Sequence, residues 1–273
     1  MGVTATIAGL FIYPLKSARG IACSRVRLGT TGFEWDRQWM LINSDGVFLS
    51  QRSHPQLARV VPSIEAGELA LLAPDLPPLR LGAVPPGRRI PVRVHRDSCF
   101  GIDAGEAAAE WASQIAREPA RLVRVPARSE RFAARAWAGA ALLGFADGFP
   151  VLVCSQSSLD DLNSRMPQSI PMDRFRPNIV LEGLPPWAED RIDALGIGDV
   201  TLRLVKPCTR CTIPAIDQLT GSPATDPAPV LRQFRYDKAL RGMTFGENAV
   251  IEAGAPGELG RGALCEVRFD SGT

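Results

Sequence analysis

Apolar and polar positions along the chain follow the pattern of short strands punctuated by turns. Val3 to Tyr13 is a β-prone run, Arg25 to Leu28 alternates, and the stretch WDRQWMLINSDGVFLSQR reads as two strands joined by Asp45-Gly46. Asp-Gly between apolar runs is a strong hairpin signal, because glycine supplies the positive φ that a tight turn requires. Glu68 to Leu72 and Arg89 to Val94 continue the strand pattern between proline-rich turns. One helix is predicted over Gly105 to Arg117, where Ala108, Trp111 and Ile115 recur three and four residues apart and Pro119 closes the run. A strand, Arg121 to Val125, follows it, and the chain is expected to divide here into halves spanning 4–120 and 121–270.

The second half opens with a basic, Ala-rich segment, Arg124 to Arg135, expected to be a solvated loop or short helix. An apolar strand over Pro150 to Cys154 leads to a helix from about Ser157, with Ser155 as a candidate N-cap. FRPNIVLEG, VTLRLVKP, NAVIEAG and ALCEVRF read as the remaining strands, the second of them ending at Pro207. Too few helices are present for βαβ crossovers, so the expected class is mainly β (α+β): mostly antiparallel sheets curled into barrels, with a few short helices.

Composition adds exclusions. With 45% hydrophobic and 22% charged residues the chain has ordinary globular content, and 25 Gly with 23 Pro agree with many turns. A formal charge of +2 gives no ground for nucleic acid or an anionic membrane as partner. The opening residues lack a charged segment ahead of an apolar core, and the charge-free run Ala136 to Ala146 is too short to span a bilayer. The expectation is a soluble, cytoplasmic protein whose six cysteines are reduced.

Candidate chemistry concentrates in VKPCTRCTIPAIDQLTG, where Cys208 and Cys211 flank Thr209 and Arg210. Structural zinc needs four Cys or His ligands, and His54 and His95 lie far away without close partners. A redox pair belongs at a helix N-terminus, whereas Pro207 and Pro214 bracket this one. Two packed loop thiols form a third reading. The fourth is one thiolate on a metal whose other ligands are not protein atoms.

That segment does not stand alone. Together with YPLKSARG, WDRQWML, FADGFPVLV, FRPNIVLEG and FGENAVI, in order from about residue 4 to residue 269, it resembles the MOSC-domain proteins with an N-terminal MOSC β-barrel half. These are relatives of the mitochondrial amidoxime-reducing component and of bacterial proteins that detoxify N-hydroxylated bases. The resemblance implies a molybdenum cofactor, molybdenum held by the dithiolene of molybdopterin, with Cys211 as the protein thiolate on the metal and Cys208 as a neighbour. It further implies that Lys16, Ser17 and Arg37 hold the cofactor's phosphate end, that Arg176 and Asn178 contact it from the second half, and that Thr209 hydrogen-bonds the pterin. Guanidinium forks and a lysine ammonium suit a phosphate, and a soft thiolate suits a thiophilic metal.

The implied activity is reduction of small N-hydroxylated compounds, N–OH to N–H with release of water. The alternative in another class is a sulfur-carrier or cofactor-handling module without that activity. The chain stops at Thr273 with only Cys265 near its end, so electrons are expected from a separate ferredoxin, flavodoxin or cytochrome-type protein. Asp217 and Glu247 are candidate general acids, for which an acidic surface residue is the plainer reading. Gln156, where relatives often carry Glu, and TIPAID, in place of a Thr-rich run, leave substrate preference open.

Overall fold

A computed structural model describes residues 2–82 and 87–270; Thr273 lies outside them. The class is the expected one, mainly β and mostly antiparallel with few short helices. Seven strands close a barrel in the order Val151–Ser155, Ile179–Glu182, Val3–Ile12, Leu264–Phe269, Ile192–Ile197, Val200–Thr209 and Gly242–Ala253, the last pairing back with the first. Only Val151–Ser155 and Ile179–Glu182 are parallel within this ring. Parallel neighbours need a long crossover, and the helix Gln156–Ser164 with the loop after it provides one. Alternate side chains point inward, so Ile7, Val153, Leu181, Leu195 and Leu202 meet in one buried cluster.

The first strand of the chain lies between Ile179–Glu182 and Leu264–Phe269, so the sequence-defined first half donates a stave to the barrel of the second. That half also gives Trp39–Asn43, Asp97–Asp103 and Arg89–Val94 to a four-stranded antiparallel sheet completed by Ala120–Arg124 at the boundary, and a three-stranded meander over Val61–Glu65, Glu68–Leu72 and Leu79–Leu81. The helix Glu106–Ala116 buries Trp111 and Ile115 in a cluster with Leu41, Leu57 and Leu122. Among the described residues no helix is long and apolar enough to cross a membrane.

Four local expectations change. Gly46 takes the turn's positive φ of 72°, but the returning strand shrinks to isolated bridges, because Val47 pairs with Arg93 while Phe48 pairs with Ile42. The strand Val200–Thr209 runs through Pro207, with register shifts on either side. A bulge tolerates proline's missing N–H, so Cys208 belongs to the strand and not to a loop. Arg131, in the segment expected to be solvated, is buried: its guanidinium donates to the carbonyls of Gly144, Ala146 and Asp147 and pairs with Asp97. Ser155 occupies the N-cap position without a capping bond, its hydroxyl lying 2.8 Å from that of Ser157.

Candidate functional site

The cleft gathers residues from distant parts of the chain. Lys16 and Ser17 follow the first barrel strand, Arg37 precedes Trp39–Asn43, and residues 146–149 precede Val151–Ser155. Arg176 and Asn178 lead into Ile179–Glu182, while Cys208, Thr209 and Cys211 lie where Val200–Thr209 runs out. All of these line one open cleft of about 290 Å³, near the lower size of small-molecule sites. The wall carries six cations, Lys16, Arg37, Arg52, Arg176, Lys206 and Arg210, against the single carboxylate of Asp147. The Cys211 thiol is free and exposed.

This geometry coincides with two sequence families joined in one chain. The MOSC N-terminal beta barrel domain matches residues 4–119 and the MOSC domain matches residues 142–263. The chain belongs to the MOSC family. Mitochondrial amidoxime-reducing component 1 of Mus musculus is 34% identical over 265 residues, 90% of this chain and 78% of that protein. The Homo sapiens protein of the same name is 33% identical over 266 residues, 90% of this chain and 79% of that protein. Molybdenum cofactor sulfurase of Bos taurus is 27% identical over 260 residues, 87% of this chain but 30% of the much longer sulfurase.

In this MOSC protein Arg37 and Arg176 share one aromatic anchor, each guanidinium 4.3 Å from the Tyr13 ring centre. Arg37 Nη1 donates to Asp36 Oδ2 at 2.6 Å and Asn178 Oδ1 at 3.0 Å, and Nη2 donates to the Arg176 carbonyl at 3.1 Å. The Tyr13 hydroxyl donates to the Pro177 carbonyl at 3.0 Å. Burial, with the Arg37 charge adding to it, brings Arg176 down to about 10, so it is cationic at neutral pH. Two cations held side by side favour an anion between or beside them.

Lys16 is buried, and desolvation lowers its pKa against the pull of Asp147. Its ammonium donates to the Phe145 carbonyl at 2.9 Å and pairs with Asp147. Desolvation pushes the Asp147 carboxyl up, but the Lys16 charge and the His95 hydrogen bond at 3.0 Å outweigh it and hold Asp147 well below the usual carboxylate range. Between the cysteines, Arg210 donates from Nη1 to Cys208 Sγ at 3.0 Å and from Nη2 to the Phe175 carbonyl at 2.7 Å. Cys208 is therefore half-buried and engaged by a cation, while Cys211 is not so engaged.

Asn178 is first a clip between the halves: Oδ1 accepts from Arg37 and from the Leu152 amide, and Nδ2 donates to the Phe11 carbonyl at 3.1 Å. One amide hydrogen remains for a ligand. The two candidate acids are not on the cleft wall. Asp217 caps a turn through the amides of Leu219 and Thr220, which keep its carboxyl low. Glu247 is not the surface acid that was the plainer expectation. It is 3% exposed, and burial followed by the Asp190 and Glu189 charges pushes it up to about 9.

Asp147 and Arg210 were missed as site residues although both fall inside quoted motifs. Lys206 falls inside one as well, VKPCTRCTIPAIDQLTG, whereas Arg52 lies outside the motifs that carry the resemblance and is brought to the cleft by folding. The donor set fits a phosphate-bearing pterin cofactor with a thiophilic metal: an exposed thiol, guanidinium and ammonium groups in excess, and hydroxyl donors at Ser17 and Thr209. Among the described residues no group of three or more His, Cys, Asp or Glu side chains could ligate a metal by itself.

Proposed function

We propose that this protein is a molybdenum-cofactor-dependent reductase of small N-hydroxylated compounds, taking two electrons and two protons to convert N–OH to N–H and water. The observation that carries the reading is the pairing, in one cleft, of the exposed Cys211 thiol with cations contributed by both ends of the chain. The cofactor, when bound, supplies the two-electron redox chemistry. Cys211 supplies the thiolate ligand and must lose its proton to do so. Lys16, Ser17, Arg37 and Arg176 hold the phosphate end, Thr209 and the free Asn178 amide hydrogen orient the pterin, and the stacked guanidiniums keep the anion in register. Asp147, bridged to Lys16 and His95, fixes the ammonium inside the cleft. Electrons come from a separate ferredoxin, flavodoxin or cytochrome-type protein, and the enzyme works in the cytoplasm.

The test is molybdenum and pterin analysis of the purified protein with benzamidoxime reduction driven by an artificial reductant. Cys211→Ser is expected to reduce turnover by at least the ~100-fold that loss of even an outer-shell partner can cost. A molybdenum-loaded wild-type protein that turns over neither benzamidoxime nor hydroxylated adenine sinks the proposal. The similarity to a molybdenum cofactor sulfurase favours one rival, a sulfur-carrying or cofactor-handling module. That reading requires a persulfide on Cys211, seen by mass spectrometry, or retained cofactor with no N-reductive activity.

A further inference from the structure

Beneath the cleft, two buried glutamines from opposite halves of the chain grip each other. Gln51 is 0% and Gln218 3% exposed. Gln51 Nε2 donates to Gln218 Oε1 at 2.9 Å, and Gln218 Nε2 donates back to Gln51 Oε1 at 3.0 Å. The remaining hydrogens are also spoken for: Gln51 donates to the Ser17 carbonyl at 2.7 Å and Gln218 to the Ile216 carbonyl at 3.0 Å. Gln218 Oε1 accepts a further bond from Arg176 Nη1 at 3.2 Å. This pattern fixes both amide orientations, since turning Gln218 over would set its NH₂ against a guanidinium, and turning Gln51 over would set oxygen against oxygen at Ser17.

What the pair ties together matters more than the bonds themselves. One end is the turn bearing Lys16 and Ser17. The other is the loop after Cys211, whose regular structure is limited to the short turn Ile213–Ala215 and a bridge from Ile216 to Pro223. Arg174 also holds this loop through the Pro214 carbonyl at 2.8 Å, and Arg19 through the Leu219 carbonyl at 3.0 Å. Neither Arg174 nor Arg19 lines the cleft or bonds a residue that does. Gln51 and Gln218 alone among these ties bond directly to cleft residues, Ser17 and Arg176.

We infer that Gln51 and Gln218 are positioning residues, a clasp that sets the Cys211 loop against the Lys16 and Ser17 turn and aims Arg176, so that thiol and cations are placed before any ligand arrives. The inference rests on the proposed use of Cys211 and these cations as one ligand site. Its physical basis is that buried amides exchanging two bonds resist opening, because separation breaks both and leaves the buried Gln51 Oε1 with no other partner. Preorganisation of this kind keeps a ligand from having to order the loop on binding.

The decisive measurement is alkylation of the full-length, cofactor-free protein by iodoacetamide, with Cys211 and Cys99 followed separately by mass spectrometry. Gln51→Leu combined with Gln218→Leu keeps the volume and removes the clasp, and is expected to change the Cys211 rate about tenfold while Cys99, on the strand Asp97–Asp103 and outside the cleft lining, stays the same. In cofactor-loaded protein the same variant should lose kcat with KM little altered. An unaltered Cys211 rate overturns the inference, and so does a parallel rise at Cys99, which would mark general loosening. Should the double variant not fold, Gln218→Glu keeps the acceptor oxygens and loses both donations, and an unaltered Cys211 rate in it is equally fatal. If the alkylation behaves as expected but loaded wild-type protein reduces no N–OH compound, the reductase proposal falls and the clasp stands.

Discussion

At the residue scale the site is built from backbone conformations that its side chains disfavour. Ser17, Arg37 and Arg176 have φ of 71°, 47° and 57°, a left-handed region where each non-glycine residue costs about 1 kcal/mol or more. Their surroundings over-determine them: the Ser17 carbonyl is held by Gln51, and the Arg37 amide donates to the Tyr13 carbonyl at 2.8 Å. Residue identity announced the cations, but nothing in the string marks a left-handed arginine. Glu247 makes the same point for protonation. Its folded carboxyl titrates near 9 against an ordinary 4.5, so the folded state keeps a proton that the unfolded chain gives up. The stability this contributes is complete below about 4.5 and is lost steadily as pH rises toward about 9. Glu247→Gln, neutral throughout, should raise the Tm at pH 8 by a few degrees and leave it unchanged at pH 4. A Tm gain equal at both pH values would contradict an ionisation origin.

Elements follow from local pattern except where a neighbour intervenes. The helix Glu106–Ala116 and the strands Glu68–Leu72 and Arg89–Val94 form where apolar spacing predicts them, since each buries one face against a core that its own periodicity defines. Val200–Thr209 runs past Pro207 because bulges absorb a residue that would otherwise break the ladder. Its partner Gly242–Ala253 closes the barrel at Gly246, where φ is +74° and a Cβ would stand 2.5 Å from Cys154 Sγ and 2.7 Å from the Val153 carbonyl. Gly246→Ala combines left-handed strain with a backbone clash at the closing seam. It is expected to cost about 3 kcal/mol or more in urea unfolding; a loss under 1 kcal/mol would mean that the seam yields cheaply.

For the whole molecule, the division near residue 120 that the sequence suggests is not a division of the barrel. The Val3–Ile12 strand fills the place between Ile179–Glu182 and Leu264–Phe269, so a fragment starting at residue 121 would carry two unpaired edges and an open core. Expressed alone, that fragment should bind ANS and lack near-ultraviolet circular dichroism, and coexpression with residues 1–120 should restore both to the intact chain's behaviour. Cooperative unfolding of the isolated fragment would refute this.

The mainly β class was legible because strand alternation and turn residues are local properties of the string, and the seven candidates that the family resemblance supplied all lie on one cleft. Arg52 on the cleft wall, the buried state of Arg131 and Glu247, and the Gln51 to Gln218 contact were not legible. Each depends on which distant segments meet, and burial or charge excess exists only once they have met. Sequence determined which chemical groups were on offer; the closed barrel decided which of them share one small volume, because desolvation and Coulomb interaction act through distance in space and not along the chain.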